Sequence, residues 1–372
     1  MRVAFCIRKD YLTLRGGDTF QLLKTKEHLE KGYHLSIAVI TDPEEIKKGA
    51  FDICHIFNLQ TEEATSRFME ACKQEKIRVA LSPIFWDLSY AISYELLLKY
   101  KIYGISEKKV KIAKAFLEKN NPFFPQRRFF TTAFKRYVAE MLAAADCLLP
   151  NSSEELAILA AFANLEPASL MRKSRVVVNS ASDSPDGAGE QDVDTVADLP
   201  DRYVLQVARV SPEKNQYSLI KALMRDTDIP IVLVGDTADS PRYYQETRKI
   251  AERRENVLFA GMIDNERLGY YYRKASLHVL PSLRESPGLV SLEALVNGCK
   301  IVVSSEPFCP FKTYFAGIAT SVNPLDINSI RAGVLGELGK ERNMEEIKEQ
   351  VKEKFSWKNA ARETYGAYEK AV

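Results

Sequence analysis

Residues 277–297 read LHVLPSLRESPGLVSLEALVN. Leu277–Leu280 is a short apolar run of strand type, Ser286, Pro287 and Gly288 break it, and Gly288–Asn297 continues as a segment of helical length. A buried strand that turns directly into a helix is the repeating half of a parallel α/β sheet. The alternation extends in both directions. Tyr203–Val207, Ile231–Gly235, Val257–Phe259 and Lys300–Ser304 read as further strands, with Asn215–Met224, Tyr243–Arg253 and Glu266–Lys274 as helical segments between them. Earlier in the chain, Val3–Ile7, Leu35–Ile40, Ile53–Phe57, Val79–Ser82 and Cys147–Pro150 repeat the pattern around helical segments such as Thr19–Lys31 and Ala64–Gln74. Apolar strands separated by amphipathic helices specify sheets covered on both faces. The expected fold class is therefore α/β, with two doubly wound Rossmann-like domains in tandem.

Composition agrees with that reading. A chain of 372 residues, 46% hydrophobic and 27% charged, has the length of two domains and excludes disorder, collagen or a disulfide scaffold. No apolar run approaches the roughly 18 residues of a membrane span. Val3–Ile7 is too short for a signal peptide and runs into Arg8-Lys9-Asp10, so a cytoplasmic protein is expected. Cys6, Cys54, Cys72, Cys147, Cys299 and Cys309 are scattered without a Cys-x-x-Cys pair and read as reduced, mostly buried thiols. His28, His34, His55 and His278 show no ligand spacing, so no bound metal is expected. Ser180–Asp201, rich in Ser, Asp, Gly and Pro and without a basic residue, reads as a mobile surface connection between the two strand series.

The net charge of +2 conceals an asymmetry. Residues 1–180 carry 27 Lys+Arg against 21 Asp+Glu, or +6, and residues 181–372 carry 25 against 29, or −4. Between Lys99 and Arg136 stand eleven basic residues and two acids, interleaved with Phe116, Phe123, Phe124, Phe129, Phe130 and Phe134. Such a stretch suits peripheral contact with an anionic membrane or a phosphate-bearing partner. A solvated helix face with its aromatics turned inward accounts for it equally well. No nucleic-acid partner is expected.

In open parallel sheets ligands bind beyond the carboxyl ends of the strands. After the first strand comes Arg15-Gly16-Gly17-Asp18, just before a helix, where paired glycines let a backbone approach a phosphate. It is not the GxGxxG fingerprint, since the third glycine is absent, and a simple Gly-rich turn explains it alone. The loop after Leu277–Leu280 carries more. Glu285 stands in the loop, Gly288 leaves amides bare at the helix start, and Glu293 lies one to two turns into the helix. This offers carboxylates to sugar hydroxyls and amides to a diphosphate. Taken singly, Glu285 is also a favourable acid near a helix start and Glu293 a surface residue.

Glu285 and Glu293 form an E-x7-E motif which, with Pro281-Ser282 before it and Ala294-Leu295 after it, resembles the family-4 retaining glycosyltransferases of the GT-B fold. Gln206–Asn215, with Arg209 and Lys214 five positions apart, Val234-Gly235-Asp236, the Gly16-Gly17 loop, Leu149-Pro150-Asn151-Ser152 and Phe355-Ser356-Trp357 extend the resemblance. The second half matches closely and the first loosely. The resemblance implies GT-B architecture with two Rossmann-like domains facing a central cleft that closes on the donor. The first, residues 1–180, would take the acceptor and be joined by a C-terminal helix at about 356–372; the second, 181–355, would hold a nucleotide sugar. It implies a retaining transfer from a UDP- or other nucleoside-diphosphate sugar to a glycan or lipid-linked acceptor, as in cell-surface polysaccharide synthesis, with no metal and no further cofactor. Arg209 and Lys214 would stabilise the departing diphosphate, whose charge grows as the glycosidic bond breaks. Glu285 would orient the sugar, the Pro287-Gly288-Leu289 backbone would meet sugar and phosphates, Glu293 would hold the ribose hydroxyls, and Gly16 and Gly17 would approach the diphosphate.

The chain also departs from the family. The loop Leu81–Asp87 lacks the histidine many relatives carry there, which leaves Asp87 as an acceptor-contacting candidate or as a helix cap. Asn179-Ser180-Ala181-Ser182 replaces an Asn-Gly-Val-Asp-like segment, and Lys300 stands where a proline is common. A catalytically silent GT-B interaction partner in a glycan-assembly complex is the alternative, opposed by the intact set Arg209, Lys214, Glu285 and Glu293. A nicotinamide dehydrogenase is disfavoured by the missing glycine fingerprint.

Overall fold

The structure, a computed structural model, describes residues 1–13, 16–119, 125–180 and 199–372. Arg15, Phe123, Phe124 and most of the expected connection Ser180–Asp201 lie outside the described residues. The chain divides into two compact units. The first comprises Met1–Trp86, Arg128–Ser180 and Lys354–Val372, and the second Asp87–Arg127 and Ala181–Glu353.

The first unit is built on a parallel sheet of β1 (Arg2–Cys6), β2 (Ser36–Ile40), β3 (Ile53–Phe57), β4 (Arg78–Ser82) and β5 (Cys147–Leu148), in the order β2-β1-β3-β4-β5. Val3, Phe5, Ile53 and Ala80 pack with Leu22 and Leu29 of the helix Gly17–Tyr33 and with Trp357, Ala360 and Tyr368 of the C-terminal helix Trp357–Ala371. Trp357 and Tyr368 enter this core, and Tyr365 stacks on Tyr33 with ring centroids 4.3 Å apart. His55 lies inside β3, fully buried, its ring bonded to Tyr368 Oη at 2.6 Å and Ser82 Oγ at 2.8 Å. Burial pushes its pKa down to about 3, so it is a neutral tie between sheet and terminal helix.

The second unit carries a parallel sheet of β6 (Val204–Val207), β7 (Ile231–Val234), β8 (Val257–Gly261), β9 (Leu277–Leu280), β10 (Ile301–Ser304) and β11 (Thr320–Val322), in the order β11-β10-β9-β6-β7-β8. The sequence pattern did not announce β11, a three-residue edge strand with only Val322 buried. Gly235, after β7, has φ +145° and its Cβ would stand 2.1 Å from Ala208 O, so only glycine lets β6 and β7 close there. Lys300, at the proline position, closes a helix end. Its Nζ donates to the carbonyls of Glu337, Leu338 and Lys340 at the end of the helix Ile327–Leu338.

Asp87–Arg127 groups with this second unit rather than with the 1–180 domain expected from sequence. The helix Ser89–Lys99 is apolar almost all round, and its rings find partners in the second unit: Tyr90 against Phe308 at 4.6 Å and Tyr94 against Tyr243 at 6.0 Å. All six cysteines are buried and free. Among the described residues no helix is long and apolar enough to cross a membrane, and no group of His, Cys, Asp or Glu could hold a metal ion.

Candidate functional site

The two loops singled out in the second unit follow β6 and β9, which are neighbours in the sheet. Sheet adjacency thus brings residues about seventy positions apart into contact. The loop after β6 carries Glu213-Lys214 and the loop after β9 carries Arg284-Glu285, two dipeptides of opposite polarity that pair crosswise. Lys214 Nζ stands 2.5 Å from Glu285 Oε1, and Arg284 Nη2 stands 3.2 Å from Glu213 Oε1. The backbone reinforces the pairing, since Leu283 N donates to Glu213 O at 2.8 Å. Burial opposes ionisation of Glu213, yet Arg284 and Lys214 outweigh it and hold the carboxyl below its usual range. Glu213 and Arg284 were not among the expected site residues; their signal was the mirrored acid-base order of the two dipeptides.

Each loop is further braced from below. Asn215, fully buried with φ +61°, donates from Nδ2 to Pro281 O at 3.0 Å and Pro324 O at 2.9 Å. Gln206 Nε2 donates to Lys214 O at 2.7 Å, and Glu285 N donates to Phe308 O at 2.8 Å. Glu285 is only 8% exposed, so its carboxylate is aimed by its surroundings rather than by solvent. Gly288 has φ +86° and caps the helix Leu289–Val296 without any side-chain cap, leaving the first amides bare beside Pro287 and Leu289. A Cβ at Gly288 would press on Glu285 Oε2 at 3.3 Å. Ser286 Oγ, between Glu285 and Pro287, is buried and has no partner among the described residues.

Arg209 also belongs to this face. Its side chain is 59% exposed and pairs with Asp239. An exposed pair is worth at most about 1 kcal/mol, so the guanidinium is readily transferred to a stronger anion. Glu293, one turn and more into the helix, is half-buried and receives the Tyr272 hydroxyl at 3.4 Å; burial raises its pKa. Arg209, Lys214, Glu285, Pro287, Gly288, Leu289 and Glu293 therefore all sit on the β6 and β9 loops or the helix that follows. Asp87 begins the second unit and accepts from Ser89 N at 2.7 Å, an Asx-type turn leading into the helix Ser89–Lys99, whose N-cap position is Leu88.

Gly16 and Gly17 lie in the first unit, at the start of the helix Gly17–Tyr33. A Cβ at Gly17 would meet nothing within 4 Å, so the fold of this unit does not demand glycine there. The helix start already carries Asp18, buried and neutralised by Arg8 at 3.2 Å, with Asn58 Nδ2 at 3.1 Å. Burial acts to raise the Asp18 pKa, but the bonds from Arg8 and Asn58 overcome it and leave that pKa lowered.

Comparison with known proteins agrees with this geometry. Residues 189–316 match the family described as Glycosyl transferases group 1. The chain is 31% identical over 181 residues to an uncharacterized glycosyltransferase of Methanocaldococcus jannaschii, covering 46% of each chain. It is 30% identical over 176 residues to the serotype-specific mannosyltransferase WbdA of Escherichia coli, covering 44% of this chain and 21% of that protein. The chain thus spans about half the length, or less, of these relatives. Among solved structures, the Anabaena protein HepE in complex with UDP and glucose superposes with a TM-score of 0.66 at 14% identity, covering 100% of both chains. The two parallel-sheet units have the GT-B fold. The family match, over residues 189–316, together with that fold supports a family-4-type glycosyltransferase.

Proposed function

We propose that the protein is a retaining glycosyltransferase that moves a sugar from a nucleoside-diphosphate sugar, UDP-linked or another, to a glycan or lipid-linked acceptor in cell-surface polysaccharide or glycoconjugate synthesis. The observation that carries this reading is the Lys214–Glu285 pair at 2.5 Å, set beside the bare helix start at Gly288. One face then holds a cation for a leaving diphosphate, a carboxylate for sugar hydroxyls and amides for the remaining phosphate oxygens. The mannosyltransferase name of one relative and the UDP and glucose of the structural neighbour favour polysaccharide chemistry and a UDP-type donor.

Arg209 and Lys214 stabilise the departing diphosphate, and Glu285 positions the sugar while holding Lys214 in place. Glu293 accepts ribose hydroxyls, and the backbone at Gly16 and Gly17 serves the phosphates. No step calls for a metal or a further cofactor. A thermal-shift screen against nucleotide sugars and free nucleotides identifies the donor, since a bound donor stabilises the folded state with its occupancy. Product NMR then reads the anomeric configuration. Transfer by Glu285→Gln or Lys214→Ala within a few-fold of the parent, or an inverted product, would overturn the assignment.

The acceptor is lipid-linked or membrane-proximal in this reading, and the helix Glu107–Glu118 supports it. Lys108, Lys111, Ile112, Phe116 and Lys119 lie along one exposed strip, with Ile112 at 62% and Phe116 at 41% exposure. Not all of the basic aromatic stretch serves this purpose. Phe129 and Phe134 are buried against Phe162, Lys109 Nζ donates to Tyr103 O and Gly104 O, and Lys114 lies 3.8 Å over the Tyr90 ring. Sedimentation with anionic vesicles tests it: binding that survives Lys108→Gln, Lys111→Gln and Phe116→Ser together removes this part of the proposal.

A further inference from the structure

A charged cavity lies in the second unit, apart from the β6 and β9 loops. It measures about 560 Å³ and is lined by Ser106, Lys108, Lys109, Lys221, Asn323 and Asp326, with Gly104 and Glu107 at its wall. That volume falls within the few hundred to 1,000 Å³ usual for small-molecule sites. Lys109 is fixed by donating to Tyr103 O at 3.2 Å and Gly104 O at 2.8 Å, which leaves one of its three N–H bonds unassigned. Lys221 comes from the last turn of the helix Gln216–Ala222. Gly104, with φ +75°, keeps this corner open: a Cβ there would press on Tyr217 at 3.3 Å and stand 3.8 Å from Lys221 Nζ.

The charges here are left unbalanced. Neither Lys109 nor Lys221 pairs with a carboxylate among the described residues. Burial, and then the charge of Lys221, lower the Lys109 pKa, so Lys109 feels a second cation rather than an acid. The lining also holds two carboxylates, but neither forms an ion pair with these lysines among the described residues: Glu107 accepts from Asn323 Nδ2 at 3.1 Å, and Asp326 accepts from Asn328 N at 2.8 Å, leaving three cations against two anions. Two ammonium groups on one cavity, neither paired with a carboxylate, have a physical reason to exist when an anion joins them.

We propose that this cavity binds a phosphate-bearing group between Lys109 and Lys221, with Lys108 at its mouth. The group is either a soluble phosphate ester or a lipid headgroup, since Lys108 also begins the exposed basic strip of the helix Glu107–Glu118. Between the lining residues Asn323 and Leu325 stands Pro324, whose carbonyl accepts from the same Asn215 amide that holds Pro281, next to Lys214 in the chain.

The test is titration of the full chain with inorganic phosphate at constant ionic strength, followed by calorimetry, a readout that does not require transfer activity. Lys221→Gln is the diagnostic variant because the Lys221 side chain holds no other element in place among the described residues; Lys214→Ala controls for phosphate at the donor face. Saturable binding retained in Lys214→Ala and weakened at least five-fold in Lys221→Gln supports the site. Parent-like binding by Lys221→Gln, or loss of all binding in Lys214→Ala, overturns it. Vesicles of phosphatidylcholine with and without phosphatidic acid distinguish the sources: Lys221-dependent binding that competes with phosphate marks a headgroup. Lys221-dependent phosphate binding with vesicles indifferent to that residue marks a soluble ester.

Discussion

The crosswise pairing of Lys214 with Glu285 makes a quantitative claim. Lys214→Ala strands a carboxylate whose side chain is 9% exposed, while its partner retained 17%. Breaking a fully buried pair costs about 3–5 kcal/mol, so a partly screened one should cost about 2–3 kcal/mol. For a unit of this size that is a fall in Tm of roughly 5–10 °C. Glu285→Gln should cost less, because Lys214 keeps Glu213 at 3.7 Å as a second anion. In the double variant Lys214→Ala with Glu285→Gln the stranded charge disappears, and the loss should be smaller than the sum by about 1–2 kcal/mol. All three should lack sugar transfer. Thermal unfolding by circular dichroism gives the cycle, with urea midpoints as a check. Strictly additive losses would refute the pairing, whatever happens to activity.

Three further outcomes follow from other sites. Arg254 is 1% exposed and donates to the carbonyls of Leu223, Asp226, Ile229, Glu255 and Asn256, so Arg254→Met should orphan several acceptors and cost more than about 3 kcal/mol; a Tm shift within about 2 °C would show that the carbonyls find other partners. Glu155 is buried and accepts from Phe85 N at 2.7 Å and Asn151 N at 2.5 Å, yet burial dominates and raises its pKa to about 7. Its unfolded value is about 4.3, so the folded state holds the extra proton between the two, and the stability it contributes is lost as pH rises through that window. The Tm of the parent relative to Glu155→Gln should therefore fall between about pH 5 and 7.5, and a constant difference would contradict this. Gly17→Ala meets open space and should leave Tm within about 1 °C while lowering kcat/KM at least ten-fold; unchanged transfer would remove Gly17 from the proposed donor site.

Much of this protein was legible before folding. Strand and helix identity follow from local periodicity, so Ile53–Phe57 and Leu277–Leu280 fall where expected and the other expected strands differ at their ends by one or two residues. The β9 loop, its glycine and its acids could be read because the turn and the helix start are encoded within a few residues. Tertiary structure decided everything that depends on which strands are neighbours. Glu213 and Arg284 became partners because β9 lies beside β6, a pairing across 71 positions that no local pattern contains. The attachment of Asp87–Arg127 to the second unit is of the same kind, since a helix apolar almost all round states only that it is buried, not against what. His55 and Arg254 make the point for single residues. A histidine or arginine in the sequence is a charge to be placed; only the fold supplied Tyr368, Ser82 and five carbonyls to satisfy them. Hydrophobic periodicity is local and hydrogen-bond satisfaction is not, and the site of this protein uses both.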